Sequence, residues 1–94
     1  MNDGRFEWDD GKAAANYAKH GISFDAAREV FKDFLAVDRP DDRIEYGEER
    51  FTIVGMVDGR LLFVAYTIRN ETIRIISARG AEPREQRQYY QDNR

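Results

Sequence analysis

The sequence predicts an α+β fold: two helices, a β-meander and a closing helix. Apolar side chains recur at spacings of three and four across residues 24–34, and alternate at a spacing of two across 51–78. Asp58-Gly59 and Asn70-Glu71 punctuate the alternating part as two-residue turns. Helices grouped ahead of a run of strands pack on an antiparallel sheet. With 94 residues, 41% of them apolar, the chain is expected to form one domain over 1–94 with one core.

Each element has a local signal. Arg5 to Trp8 alternates and reads as a short first strand. Asp9 suits an N-cap, because its carboxylate accepts from the free N–H groups of a helix start. Ala13, Ala14, Ala15, Tyr17 and Ala18 favour a helix, which His20-Gly21 ends, Gly21 taking the left-handed conformation after the last turn. Ser23 caps a second helix, whose stripe is Phe24, Ala27, Val30, Phe31 and Phe34. Leu35 to Asp38 adds a short edge strand. Strands follow over Phe51–Val57, Leu61–Ile68 and Ile73–Ala78. Asp58-Gly59 fits a type I′ turn, which needs positive φ at both positions; in Asn70-Glu71 the Asn tolerates that conformation better than the Glu. The last helix begins at Ala81 or Glu82, with Pro83 in its first turn, where a missing N–H costs little.

Two tight turns set the facing. One sheet face carries Phe51, Ile53, Leu62, Val64, Tyr66, Ile68, Ile73 and Ile75, and is expected to lie on the helices. The other carries Val54, Met56, Leu61, Phe63, Ala65 and Ile76, with Thr67, Arg69, Thr72 and Arg74 at one end. Either the last helix or a partner chain covers it. This register sets Arg79 on the opposite face from Arg69 and Arg74, and a single β-bulge would reverse that.

Composition excludes several chemistries. With no Cys, disulfides, thiolate metal sites and cysteine nucleophiles are ruled out, and one His rules out multi-histidine metal sites. No apolar run approaches the roughly 20 residues of a membrane helix, and no signal-peptide core follows the N-terminus, so a cytoplasmic protein without membrane association is expected. The net charge is −3, unevenly spread: residues 33–49 hold seven acids and two bases, leaving +2 elsewhere. Twelve of the 15 basic residues are Arg, whose planar fork fits phosphate or carboxylate. The carboxylates of 41–49 lack the spacing of a calcium loop, and no cofactor motif is present.

His20 is the one side chain that titrates near neutrality unperturbed, and it stands at a helix C-terminus. Arg69, Arg74 and Arg79 fall within eleven residues. Each either pairs with a carboxylate such as Glu71, Glu82 or Glu85, or binds a phosphate. The phosphate chemistry they suit is metal-free RNA cleavage, in which the 2′-OH attacks the adjacent phosphorus and cations offset the charge on the phosphoryl oxygens. Trp8, Lys19 and Tyr66 are candidate RNA contacts, the aromatics as base-stacking platforms unless they belong to the core.

The segments Phe6 to Asn16, Lys19 to Phe31, Glu48 to Gly55 and Arg74 to Arg79 resemble the BrnT family, in the right order over nearly the whole chain. The carriers are Trp8-Asp9, Lys19-His20-Gly21 and Ile76-Ser77-Ala78-Arg79. Asp10 stands where family members often have Pro, which bears on helix initiation. The resemblance implies a RelE-like fold and a ribonuclease toxin of a type II toxin–antitoxin pair, which cuts RNA to block translation. It also implies a BrnA-like DNA-binding antitoxin, through which the complex represses its operon. The competing reading is a non-enzymatic module that serves as co-repressor with a DNA-binding partner.

Overall fold

Local signals set the element boundaries in the computed structural model of the chain, which describes residues 1–42, 45 and 47–94. Arg43, counted above in the acidic stretch, lies outside the described residues. Strand β1 spans Phe6–Glu7 and helix α1 Asp10–His20. The Asp9 carboxylate accepts from Lys12 N–H at 2.9 Å, and Gly21, at φ 69°, donates to Tyr17 O at 2.8 Å. Helix α2 spans Phe24–Arg28, with Ser23 Oγ accepting from Ala26 N–H at 3.0 Å.

The second helix is shorter than its apolar stripe predicts. It tightens to 3-10 winding over Glu29–Lys32, and Asp33 then turns extended. Phe24, Ala27 and Val30 are buried, and Phe31 packs against Phe6 and Tyr66. Phe34 falls beyond the last turn, off the stripe, and is 98% exposed.

Strands β2 (Val37–Pro40), β3 (Phe51–Val57), β4 (Arg60–Arg69) and β5 (Thr72–Gly80) precede helix α3 (Pro83–Asp92). Both predicted turns form: Asp58, Gly59, Asn70 and Glu71 have φ of 50°, 79°, 50° and 66°. Pairing therefore runs up to Val57–Arg60 and Arg69–Thr72: β3 spans the predicted residues, and β4 and β5 are longer than predicted. The sheet order is β1-β5-β4-β3-β2. It is mixed rather than purely antiparallel, because β1 runs parallel to β5 with Phe6 opposite Ile73 and Glu7 opposite Arg74. The chain returns from β1 through two helices and a meander, so its first strand lies beside its last.

A bulge changes the predicted facing. Tyr66 pairs with Ile75 but Ala65 with Ser77, which leaves Ile76 as the extra residue. Beyond it Ala78 points to the core under α1 and α2, and Arg79 pairs with Phe63 on the other face. Arg79 thus shares its face with Arg74 and Arg69.

The main core joins Trp8, Ile22, Phe24, Ala27 and Val30 to Ile53, Leu62, Val64, Tyr66, Ile75 and Ala78. Gly55 lets β3 approach this layer: a Cβ there would meet Val30 Cγ1 at 2.8 Å and Val30 O at 3.1 Å. On the other face the chain's own α3 supplies cover, with Tyr89 buried against Val54 and Leu61. The Tyr89 hydroxyl donates to Asp33 at 2.7 Å. Among the described residues no helix is long and apolar enough to cross a membrane.

Candidate nucleic-acid interface

On the α3 face, strand register builds cross-strand rows. One row is Val37, Val54, Phe63 and Arg79; the next is Arg39, Thr52, Ala65 and Ser77; the third is Thr67, Arg74 and Glu7. Helix α3 seats Tyr89 against the first row. The middle row has small, half-buried side chains over three strands. It forms a shallow trough with Arg79 along one side, Arg74 along the other and Arg39 at the end. From β2 to β5 it crosses three strand spacings, about 14 Å.

Each arginine lies against a carboxylate. Arg74 donates to Glu7 at 2.8 Å, across the parallel β1–β5 pair. Arg79 grips Glu85 with both arms of its fork, at 2.8 and 2.9 Å, meets Glu82 at 3.3 Å, and lies 4.1 Å above the Phe63 ring. Arg69 approaches Glu48 at 3.4 Å, and Arg39 approaches Asp92 at 2.7 Å. The predicted carboxylate partners Glu82 and Glu85 thus both meet Arg79. Burial pushes the Glu85 carboxyl up, but the Arg79 fork and the Glu82 N–H outweigh it and hold the group below the usual carboxylate range.

The other predicted site residues are spread apart. Asn16 and His20 lie four residues apart on α1, about 6 Å along its axis. The Asn16 amide is bonded to the backbone of Ala78, the residue before Arg79 on β5, and His20 lies on the next turn of α1 from that anchor. Arg74 is toward the other end of that strand, four residues from Ala78, and no hydrogen bond or ion pair joins His20 to the arginines among the described residues. Lys19 is exposed beside His20.

The two aromatic platforms are not available for stacking in this fold. Trp8 is 7% exposed, edge-on to Phe24 in the main core. Tyr66 is 4% exposed, stacked on Phe51, with its hydroxyl donating to Asp38 at 2.6 Å. Burial first, and then Asp38, push the Tyr66 hydroxyl well above its ordinary value. Both rings read as base-stacking candidates because an aromatic near an arginine cluster can stack a base; apolar neighbours in space enclose them.

Sequence reasoning also passed over Arg39 and Asn16. Arg39 alternates with Val37 on one face of the edge strand, a pattern masked by the acidic residues around it. Asn16 is a lone amide among alanines, on the side of α1 that meets the sheet.

A family model described as a ribonuclease toxin, BrnT, of type II toxin–antitoxin systems matches residues 8–85. The chain belongs to the BrnT family. The match begins at the buried Trp8, takes in both early helices and the four-stranded meander, and ends at Glu85, the partner of Arg79. The family is one of ribonuclease toxins, and its type II class implies an antitoxin partner. No curated protein matches the chain. Among the described residues of this BrnT-family chain, no group of three or more His, Cys, Asp or Glu is placed to hold a metal ion.

Proposed function

We propose that this BrnT-family chain is a RelE-like endoribonuclease toxin that cuts RNA in the cytoplasm without a metal and so blocks translation. Its proposed partner is a DNA-binding antitoxin of the BrnA kind, through which alone the pair reaches operator DNA. The family match over residues 8–85 carries this reading. The arginine-flanked trough supports it, because a strand of RNA presents the anions that arginine forks fit.

In the proposed reaction the 2′-oxygen bonds to the adjacent phosphorus and the bond from phosphorus to the 5′-oxygen breaks. The 2′-hydroxyl proton leaves to a base, and the departing oxygen takes up a proton. His20 is the proposed proton-transfer group, on the next turn of α1 from the Asn16 anchor. Arg79 is the proposed contact to the scissile phosphate, with Arg74 and Arg69 toward neighbouring phosphates and Lys19 at the rim. Phosphate engagement requires exchange of the carboxylates that hold these arginines. A preorganised cation of this kind is worth about 10²- to 10³-fold in rate.

The test is RNA cleavage by the purified chain in excess EDTA, with Arg74→Ala, Arg79→Ala and His20→Gln beside it. Cleavage that persists in EDTA and falls by about 10²-fold or more in the variants supports the reading. Cleavage abolished by EDTA and restored by Mg²⁺ overturns metal independence, and full activity in all three variants moves the site elsewhere. The carboxylates against all three arginines favour one second reading, a non-enzymatic co-repressor, which predicts no cleavage by the chain alone.

A further inference from the structure

We propose that Arg39 is an RNA-phosphate contact held in reserve by Asp92, so that the last turn of α3 competes with RNA for the far end of the trough. This rests on the reading of the trough as an RNA surface. Glu85 and Asp92 lie seven residues apart on α3, two turns and about 10.5 Å along one face. They meet Arg79 on β5 and Arg39 on β2. The helix therefore lays two anions across the sheet, over the same cations a polyanionic strand would meet.

Asp92 has no helical reason to be where it is. It stands at the C-terminus of α3, where the helix dipole disfavours an anion, and the last turn, all of it described, carries no basic side chain. Its compensation comes from Arg39 across the sheet edge. That pair is open to exchange: the side chains are 49% and 40% exposed. A pair so solvated is held weakly, so an incoming phosphate replaces the carboxylate at small cost. Arg79 differs, because its fork is bound bidentately and stacked on Phe63. Of the two arginines that α3 holds, Arg39 is thus the one more readily handed from helix to ligand.

The experiment measures binding of a fluorescent, single-stranded 2′-O-methyl oligoribonucleotide to the full chain and to Arg39→Gln, Asp92→Asn and the double variant. The 2′-O-methyl groups block cleavage, so affinity is read alone. Arg39→Gln is expected to weaken binding roughly three- to tenfold and to reduce the salt slope by about 0.7, the value of one single-strand phosphate contact. Asp92→Asn is expected to tighten binding by a similar factor, and the double variant to match Arg39→Gln. A purely structural ion pair would make both single variants shift the same way; that result, or no shift in either, overturns the proposal. Arg39→Lys, expected to keep the salt slope, replaces Arg39→Gln if melting shows the latter unfolded. If the parent chain binds no RNA, the RNA reading of the trough fails with it; if the parent binds and Arg39→Gln binds equally, only the Arg39 assignment fails.

Discussion

Asn16 closes an edge of the sheet that the strands leave open, and removing its amide is expected to be among the costliest single changes in the fold. Strand β1 covers β5 over Phe6 and Glu7. Further along, the outward N–H and C=O of Ala78 meet the Asn16 side chain instead: Nδ2 donates to Ala78 O at 2.9 Å and Oδ1 accepts from Ala78 N–H at 3.1 Å. Nδ2 also donates to Ile22 O at 3.0 Å, tying down the link between α1 and α2. The residue is 8% exposed, so water replaces these bonds poorly. At about 1 kcal/mol per hydrogen bond, Asn16→Ala should lose about 3 kcal/mol. That is a large share of the roughly 5–15 kcal/mol that holds a domain of this size.

Asn16→Asp sharpens the test. It keeps the acceptor for Ala78 N–H but sets an ionised carboxylate against two carbonyl oxygens. At pH 7 it should be at least as destabilising as alanine. Burial and those carbonyls raise the carboxyl's folded pKa above its unfolded value, so the penalty is greatest at neutral pH and eases as pH falls through the folded value. Urea unfolding followed by fluorescence of the buried Trp8 measures both variants. An Asn16→Ala variant within about 0.5 kcal/mol of the parent, or an Asn16→Asp penalty relative to the parent that is smaller at neutral than at acid pH, would refute the edge-closing role.

Two further outcomes are expected. Glu71 has φ 66° in the turn between β4 and β5, so Glu71→Gly should raise stability by about 0.5–1 kcal/mol in the same titration, and a loss would count against strain at that position. Burial pushes the Asp33 carboxyl up, but hydrogen bonds from Met56 N–H, Leu35 N–H and the Tyr89 hydroxyl outweigh it and hold the group below the usual carboxylate range. Its contribution is therefore present above the ordinary value of about 4 and lost as pH falls through the folded one, so Asp33→Asn should lower neutral stability and flatten the acid limb; an unchanged limb would contradict this.

The arginines of the α3 face do not stand there as bare cations. Glu7, Glu48, Glu82, Glu85 and Asp92 lie against the arginines of that face. The net charge of the chain therefore says little about where its arginines stand, and on the proposed reading each of them exchanges its carboxylate for a phosphate.

What the sequence determined by itself is what one or two neighbouring residues decide. Asp9, Gly21 and Ser23 bound the helices because their own side chains or backbone angles satisfy the ends. Asp58-Gly59 and Asn70-Glu71 set the hairpins because positive φ is a property of single residues. The tertiary structure decided what depends on counting across strands and on neighbours in space. A bulge of one residue at Ile76 moved Arg79 to the face of Arg74, since strand facing has period two and one extra residue inverts it. Phe34 left the core because the helix tightened and stopped before its turn came round. Trp8 and Tyr66 became core, Arg39 joined the trough and the arginines found their carboxylates for the same physical reason. Burial and pairing are set by residues far apart in the chain, and no local pattern records which of them will meet.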